Sequence, residues 1–253
     1  MSSSRFQKPR VHLDCFQCAC PLRGKPYDDT GVPTLNFGFK ATSAAALRVF
    51  FLFCKHHLSV HKHRSRLRKQ LRQARRALSP AEQKFAAQLL AQQLRSNVRF
   101  MHCKHIAFYL ANDGEIDPSF FLRIAERYGK NCYLPRLHRD SSNRMAFLRY
   151  RSGDKLHKNR YGIPEPHIQN ARLPAWALQL VLLPLVGFDR HGQRLGMGGG
   201  FYDRTFAFKR NSPYRKPLLI GLAHGIQEVP SLQVENWDIP LNGIVTEKMR
   251  LFF

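Results

Sequence analysis

Acidic residues are scarce in this chain of 253 residues, where 17 Asp and Glu stand against 41 Lys and Arg. The formal net charge of +24 at pH 7 is spread along the chain rather than confined to one tail. A surface this basic is typical of proteins that bind nucleic acid, an anionic membrane or polyanionic small molecules. Charge alone does not distinguish between these partners, and it is equally compatible with a solvated basic surface that binds none of them.

Long apolar runs and abundant cysteines are also missing. The longest apolar candidate, residues 49–54 with the alanines ahead of it, is too short to cross a membrane and follows Arg48. It also lies too far along the chain for an ordinary signal peptide. Six cysteines are too few for a secreted disulfide scaffold of this length. We therefore expect reduced thiols and a cytoplasmic protein.

Residues 1–60 differ from the rest of the chain, because they mix Ser, Pro and Gly without sustained periodicity. The cysteine cluster that begins at Cys15, with Cys54 and two histidines downstream, resembles a zinc site only loosely. Zinc ligation needs two well-spaced pairs, and the second pair here is irregular, so we do not expect one. We predict that residues 1–60 are a disordered extension or follow a wrongly assigned start codon, and that residues 61–253 form the folded domain.

Residues 64–94 have the spacing of two consecutive helices. Apolar residues of the first helix recur at intervals of three and four: Leu67, Leu71, Ala74 and Leu78. They predict one apolar stripe, with Arg and Lys on the opposite face. Ser79 predicts the N-cap of the second helix, because Pro80 suits the first helical position and Glu82 completes a capping box. The apolar residues expected on this helix are Phe85, Leu89, Leu90 and Leu94.

The next segments alternate between strand and helix. Apolar and aromatic content predicts a strand at residues 105–110, and residues 112–115 have the composition of a turn. A helix over residues 117–128 and a strand at 132–134 complete a βαβ unit, which favours a parallel sheet. In such sheets ligands bind beyond the carboxyl ends of the strands, where Glu115 is expected. Further strands are expected at residues 145–150, 180–186, 217–223 and 244–246.

A glycine-rich segment in the middle of the chain is the strongest functional signal. An apolar strand over residues 180–186 leads to a polar turn at 189–192 and then to Gly196-Met197-Gly198-Gly199-Gly200. Consecutive glycines let backbone N–H groups approach an anion, and the helix expected over residues 201–209 adds unpaired donors. Arg194 could supply charged donors to the same phosphates. The spacing matches neither the P-loop nor the dinucleotide-binding fingerprint.

The segment around these glycines resembles a known family. Its pattern is similar to the signature of 5-formyltetrahydrofolate cyclo-ligases, also called methenyltetrahydrofolate synthetases: Asp189-x-x-Gly192-x-Arg194-Leu195-Gly196-x-Gly198-x-Gly200-Phe201-Tyr202-Asp203. The resemblance implies a single three-layer α/β domain with an open, mainly parallel sheet, preceded by a basic N-terminal helix. It also implies an enzyme that uses ATP to convert 5-formyltetrahydrofolate into 5,10-methenyltetrahydrofolate, releasing ADP and phosphate.

The resemblance assigns site residues by their position in the motifs. Arg194 and Tyr202 are the implied catalytic residues, and Arg64 and Arg68 of the basic first helix are implied to reach the ATP phosphates. Relatives often carry Lys where this chain has Arg64, which keeps the charge but changes its geometry. The full implied ATP site is Arg64, Arg68, Arg194, Leu195, Gly196, Met197, Gly198, Gly199, Gly200, Phe201 and Tyr202.

The same resemblance implies contacts for the folate and for Mg²⁺. Leu110, Glu115 and Tyr161 are the implied folate-binding residues. Tyr161 begins a segment similar to the family's aromatic-x-Ile-Pro-x-Pro motif, and its ring would pack against the flat pterin. Asp203 and Asp238 are the implied Mg²⁺ ligands, since this ion needs few carboxylates beside water and substrate phosphates.

Simpler interpretations are open for each of these features. The glycine segment could be only a sharp turn, Glu115 a solvated turn acid, and Tyr161 a cover for the edge of the core. The chain could instead be an RNA-binding protein whose Arg-rich first helix contacts phosphates. A scarcity of aromatic motifs for base stacking argues against that alternative. We expect a monomeric enzyme whose partners are ATP and 5-formyltetrahydrofolate, with or without a polyglutamate tail, and neither nucleic acid nor membrane.

Overall fold

The computed structural model describes the chain from residue 62 onward, apart from four short gaps. The described ranges are 62–138, 143–210, 216–233, 235 and 237–253. The predictions made for residues 1–60, including the rejected zinc site, lie outside the described residues. Within the described ranges, no helix is long and apolar enough to cross a bilayer.

Three helices open the described part of the chain. Helix α1 covers residues 62–76, α2 covers Pro80–Arg95, and α3 covers Val98–Met101. The predicted capping box at the start of α2 is confirmed. The Ser79 hydroxyl accepts from the backbone N–H of Glu82 at 3.3 Å, and the Glu82 carboxylate accepts from the backbone N–H of Ser79 at 2.8 Å. Two of the unpaired donors at the helix start are satisfied in this way.

Eight of the strands form the central sheet. In chain order the described strands are β1 (His105–Ala107), β2 (Asn131–Leu137), β3 (Met145–Tyr150), β4 (Leu156–Lys158), β5 (Pro164–Pro166), β6 (Arg172–Leu173), β7 (Leu180–Pro184), β8 (Gly187–Phe188), β9 (Arg194–Leu195), β10 (Leu218–Leu222), β11 (Gly243–Val245) and β12 (Arg250–Phe252). The sheet order is β12-β11-β10-β7-β1-β2-β3-β6. The five strands from β11 to β2 are mutually parallel, whereas β12, β3 and β6 pair antiparallel at the edges.

Helix α4, Ser119–Arg127, connects β1 to β2 and completes the predicted βαβ unit. The two strands are parallel, and Ile106 of β1 is in register with Cys132 of β2. Phe121 and Ala125 of α4 are buried in the core. The turn after β1 and the loop after β7 therefore emerge at the same end of the sheet, because both strands run in the same direction.

Strand β7 is buried on both faces and links two core clusters. Leu180 and Leu182 pack with Leu90 of α2 and Phe121 of α4, on the face that the longer helices cover. Val181 and Leu183 lie in the cluster on the opposite face, together with Phe206 and other apolar residues. The alternation follows from the two-residue period of a strand, and it explains why the segment is apolar at every position.

The second face of the sheet is covered by short helical segments. Helix α5, Phe201–Thr205, is followed by a 3₁₀ turn at Ala207–Lys209. Phe206 lies between them, fully buried against the sheet. The predicted fold class, a mainly parallel sheet between two layers in an α/β domain, is confirmed. The helix expected over residues 201–209 is present as these two shorter pieces.

Two helix faces differ from the prediction. Ala74 of α1 is exposed, while Arg75 beside it is fully buried, because ionic partners inside the protein receive its guanidinium group. Phe85 of α2 is 61% exposed rather than part of the apolar stripe. The inner face of α2 is formed instead by small and branched residues, which allow the helix to lie close to α4 and the sheet: Ala86, Ala87, Leu90, Ala91 and Leu94.

The strand limits also differ in places. β1 ends at Ala107 instead of residue 110, and Phe108 and Tyr109 continue buried but outside the strand. β2 runs to Leu137, past the predicted end at residue 134, because the antiparallel strand β3 pairs with it as far as that residue. Short antiparallel strands such as β6 and β12 were not predicted, since two or three residues carry too little periodicity to be recognised.

We predict that replacing Leu90 and replacing Phe85, both on α2, have very different effects on the stability of the protein. Leu90 is fully buried, so Leu90→Ala should lower the free energy of unfolding by about 2–5 kcal/mol through lost burial and a residual cavity. Phe85→Ala, on the exposed face of the same helix, should change it by less than about 0.5 kcal/mol. Urea denaturation of both variants measures the difference, and equal losses would contradict the described helix orientation.

Candidate active site

A cavity of about 900 Å³ lies beyond the carboxyl ends of β1 and β7. Helix α1 borders it on one side and the glycine segment, residues 196–200, on another. All the predicted site residues except Leu195 line this cavity. The side chain of Leu195 is fully buried with Leu71 and Val186, so it belongs to the core. The structure thus brings together residues from both halves of the chain.

The glycine segment forms a loop between β9 and α5. Gly198 and Gly200 have φ angles of 95° and 66°, in the left-handed region that other residues adopt only with strain. Arg68 of α1 donates from Nε to the carbonyl of Gly196 at 2.8 Å. Arg204 of α5 donates to the carbonyl of Gly199 at 2.7 Å. These bonds fix the loop at both ends, and Met197 between them is exposed.

Two buried arginines each pair with one predicted metal ligand. Arg194 forms a short ion pair with Asp203, and Arg64 lies 3.4 Å from a carboxylate oxygen of Asp238. Arg64 also donates to the carbonyl of Gln233 at 2.8 Å. These pairs satisfy charges that would otherwise be costly to bury, and they keep both guanidinium groups at the cavity wall.

Arg68 adds a third cation to this side of the cavity. Burial lowers the pKa of its guanidinium, and the neighbouring positive charge of Arg64 lowers it further. Like charges held this close favour an anionic ligand, because the anion relieves their repulsion. The arrangement of Arg64, Arg68 and Arg194 beside the glycine loop therefore suits a phosphorylated ligand.

Asp203 and Asp238 supply carboxylate oxygens next to these arginines. Asp203 also accepts from the backbone N–H of Ile239 at 3.2 Å, and Asp238 accepts from that of Glu235 at 3.1 Å. Burial raises the pKa of Asp238, and the nearby charge of Asp203 adds to the rise. Within the described ranges no group of three His, Cys, Asp or Glu side chains could hold a metal ion. Two hard oxygen donors beside a phosphate site nevertheless fit Mg²⁺, which takes its other ligands from substrate and water.

Glu115 lies deep in the cavity, in the turn that follows β1. Burial raises the pKa of its carboxyl group to about 7, although the Arg75 guanidinium nearby opposes the rise. One Arg75 nitrogen lies 3.6 Å from Glu115 Oε1, and the backbone N–H of Asn112 donates to Oε2 at 3.3 Å. The interpretation of Glu115 as a solvated turn acid is therefore wrong.

Tyr161 lies at the mouth of the cavity and is 55% exposed. Its ring meets Phe201 edge-on at 6.1 Å, and the Arg160 guanidinium lies 5.1 Å from the ring centre. The side-chain oxygen of Asn159 accepts from the backbone N–H groups of Tyr161 and Ile163 at 2.8 and 3.1 Å, which shapes this loop. More than half of the Tyr161 side chain is thus exposed at the cavity mouth, so it does not simply cover the core.

Leu110 and Tyr202 complete the set of predicted residues. Leu110 is half-buried and packs against the core on the helix-covered side while it lines the cavity. Tyr202 stacks on Phe206, and burial raises the pKa of its hydroxyl. Tyr202 therefore stays protonated, and its hydroxyl can act as a hydrogen-bond donor.

Three further arginines of α1 belong to the surroundings of the site and were not predicted: Arg72 and Arg76 line the cavity, and Arg75 is fully buried. Arg64, Arg68, Arg72 and Arg75 recur at intervals of four, four and three, which places them along one face of α1. This cationic stripe overlaps the apolar stripe. Only Arg64 and Arg68 were assigned to the site, and the other Arg and Lys residues were placed on the face opposite the apolar stripe, because charged residues are seldom buried. A stripe of arginines along one helix face, with Arg64 and Arg75 buried, is itself a sign of an anion site.

An open α/β sheet with a ligand cavity beyond its strand ends, bordered by glycines and arginines, is typical of enzymes that bind phosphorylated ligands. Residues 60–247 match the sequence model of the 5-formyltetrahydrofolate cyclo-ligase family. The chain belongs to this family, as its central motif predicted.

Known relatives agree with this assignment. The 5-formyltetrahydrofolate cyclo-ligase of Escherichia coli strain K12 is 41% identical over 177 residues, which cover 70% of this chain and 96% of that protein. That of Haemophilus influenzae is 38% identical over 184 residues, covering 72% and 96%. The NMR structure of Aquifex aeolicus 5,10-methenyltetrahydrofolate synthetase aligns with a TM-score of 0.64 at 30% identity, covering 75% of this chain and 92% of that one. The RNA-binding alternative gains no support from these similarities.

We predict that Glu115 makes the stability of the protein depend on pH. Its folded-state pKa of about 7 lies above the ordinary 4.5 of a glutamate. The unfolded chain therefore ionises first as the pH rises, and the folded state loses stability between those values. Glu115→Gln keeps the neutral form, so its stability relative to the wild type should rise across this range by on the order of 2–3 kcal/mol.

Urea denaturation of the wild type and of Glu115→Gln at pH 5 and pH 8 checks this prediction. The difference between the two proteins should be larger at pH 8. A difference that is the same at both pH values would contradict the raised pKa of Glu115.

Proposed function

We propose that the protein converts 5-formyltetrahydrofolate and ATP into 5,10-methenyltetrahydrofolate, ADP and phosphate. The observation that carries the proposal is the convergence of Arg64, Arg68 and Arg194 on the glycine loop in one cavity. Glu115 and Tyr161 border the same cavity and offer polar and aromatic contacts for a flat heterocycle. Membership of the cyclo-ligase family supports both the phosphate assignment and the folate assignment.

The proposed chemistry activates a poor leaving group. The formyl oxygen attacks the γ-phosphorus of ATP and ADP leaves, which converts that oxygen into a phosphate ester. N10 then attacks the formyl carbon and loses its proton, and the oxygen departs with the phosphate as the ring closes. Phosphoryl transfer depends mainly on positioning and on neutralising charge, so a nucleophilic side chain is not required.

Arg194 is the residue we assign to the transferring phosphoryl group. It is buried, it borders the glycine loop, and its pair with Asp203 fixes its orientation. Arg64 and Arg68, on α1, line the same cavity and suit the remaining phosphates. The Tyr202 hydroxyl stays protonated and can donate a hydrogen bond in the same region.

Asp203 and Asp238 are the residues we assign to Mg²⁺. Both carboxylates line the cavity beside the phosphate-side arginines, and two carboxylates with phosphate and water oxygens suit this ion. When bound, Mg²⁺ would stabilise the negative charge on the phosphate oxygens. The two aspartates hold their positions through the arginines and backbone N–H groups described above.

The folate is assigned to Leu110, Glu115 and Tyr161. Burial raises the pKa of the Glu115 carboxyl group to about 7, so both its protonated and its ionised forms are accessible. The group can therefore donate hydrogen bonds to the polar edge of a pterin or accept them from it. The exposed ring of Tyr161 provides a stacking surface, and Leu110 an apolar one.

Further parts of the proposal concern the whole protein. We infer that residues 61–253 are the catalytic unit, in agreement with the extent of the family match. We also infer that it acts in the cytoplasm as a monomer and accepts folates with polyglutamate tails. Size-exclusion chromatography and kinetics with folates of different tail length test the last two inferences.

The direct test of the proposed function is an assay of the purified protein. It follows the absorbance of methenyltetrahydrofolate and, in parallel, the release of ADP. Both products should form in equal amounts, and only when 5-formyltetrahydrofolate and ATP are present together. ADP release that does not depend on the folate would contradict the proposal.

We predict that Arg194→Ala loses turnover. A donor that stabilises charge mainly in the transition state contributes on the order of 10²–10³-fold to kcat when it is well placed. Arg190→Ala is the matched control, because Arg190 lies in the same connection but on the surface, paired with Glu228. The control should keep wild-type kcat. Near-wild-type turnover in Arg194→Ala would remove the basis for placing the phosphates here.

We also predict that Asp203→Asn raises the Mg²⁺ concentration needed for half-maximal rate. Asparagine is nearly isosteric, but its neutral oxygen binds the ion more weakly than a carboxylate. Asp154→Asn, a change in an exposed turn outside the cavity, is the control and should leave the requirement unchanged. An unchanged requirement in Asp203→Asn would contradict the assignment of this carboxylate.

A further inference from the structure

Asp113 lies in the turn after β1 and outside every motif that the sequence analysis assigned. Its φ angle of 57° is in the left-handed region, which Asp and Asn tolerate better than most residues. The side chain is only 12% exposed. Three arginines of α1 surround its carboxylate.

The contacts of Asp113 join this turn to the C-terminal half of α1. Arg72 Nε donates to Oδ2 at 2.7 Å and an Arg75 nitrogen to the same oxygen at 2.9 Å. Arg76 forms a short ion pair with Oδ1. The backbone carbonyl of Asp113 accepts from Arg75 Nε at 2.8 Å. One residue thus holds three side chains on consecutive turns of the helix.

The backbone of the turn approaches α1 closely. A Cβ atom at Gly114, where φ is 74°, would lie 3.1 Å from the carbonyl oxygen of Arg75 and 3.3 Å from Cα of Arg76. This spacing is tighter than ordinary van der Waals contact. Glycine at this position therefore allows Asp113 to reach the helix.

The same helix carries the arginines assigned to the phosphates. Arg64 and Arg68 lie on the face of α1 that also holds Arg72 and Arg75. The middle of the helix is attached by Leu71, which packs with Val186 and Leu195. Leu71 provides apolar burial without directional preference, whereas the ion pairs of Asp113 define the rotation and axial position of the helix.

We propose that Asp113 is a positioning residue for the cyclo-ligase reaction. By holding Arg72, Arg75 and Arg76 it fixes α1, so that Arg64 and Arg68 stand at the phosphate side of the cavity. By sharing Arg75 with Glu115 it also controls the electrostatic surroundings of that carboxyl group. This inference rests on the function proposed above.

The influence of Asp113 on the electrostatic surroundings of Glu115 can be measured through the pKa of Glu115. The groups that act on it are Arg72 and Arg75 from α1 and Asp113 from its own turn, with Tyr109 and Tyr202 also near. Removing the charge of Asp113 takes away a negative neighbour and leaves Arg75 less neutralised. Both changes favour the ionised carboxylate, so the pKa of Glu115 should fall.

The test is Asp113→Asn, since Asn also tolerates the left-handed conformation. Loss of charged hydrogen bonds that align α1 should raise the KM for ATP about tenfold while kcat changes much less. The pH midpoint of kcat/KM for 5-formyltetrahydrofolate should move by about one unit to lower pH. A purely structural role would lower kcat with the fraction of folded protein and leave KM and the midpoint unchanged.

Asp117→Asn is the matched control on the same connection. Asp117 accepts from the backbone N–H of Ser119 at 2.8 Å at the start of α4 and does not line the cavity. It should leave the KM for ATP and the pH midpoint unchanged. If Asp113→Asn fails to fold, Arg76→Gln removes the most exposed of the three pairs and should raise the KM for ATP about threefold.

Two results would overturn the proposal. One is an Asp113→Asn enzyme with wild-type KM for ATP and wild-type pH midpoint. The other is an unfolded Asp113→Asn protein together with an Arg76→Gln enzyme of unchanged KM. A wild-type protein that forms no methenyltetrahydrofolate would instead contradict the proposed function, so the two failures are distinguishable.

Discussion

The burial of one guanidinium group, that of Arg75, organises the ligand end of this fold. A charge without access to water is costly unless partners surround it. The partners come from two other parts of the chain: Asp113 after β1, and the carbonyl of Leu185 after β7, at 3.1 Å. The same carbonyl also accepts from Gln227 at 2.7 Å. Helix, turn and strand end are therefore held in one network, and the cavity is the space that they enclose.

At this cavity, some of the excess basic residues have a specific structural role. Four of the acids that line it lie beside an arginine: Asp203 with Arg194, Asp238 with Arg64, Asp113 with Arg72, and Glu115 with Arg75. Five arginines line the cavity, and four of them belong to α1. A site built in this way is held together by internal ion pairs, and its guanidinium groups can also donate hydrogen bonds to a polyphosphate.

The features that the sequence predicted well are those with a strong local pattern. The Ser79 capping box, the buried strand β7 and the glycine loop each depend on neighbours in the chain, and each is present. The buried state of Arg75 and the close approach of Gly114 to α1 were not predicted. Both depend on contacts about 40 residues apart, which a local pattern does not encode.

The contact between Arg64 and Asp238 joins residues 174 positions apart, and Arg68 reaches Gly196 across 128. Closing loops of this size costs conformational entropy, which the contacts at the cavity must offset. During synthesis the phosphate side of the cavity is incomplete until Asp238 has been made. A ligand that binds there recognises only the finished domain, and its binding energy adds to the stability of the whole fold by mass action.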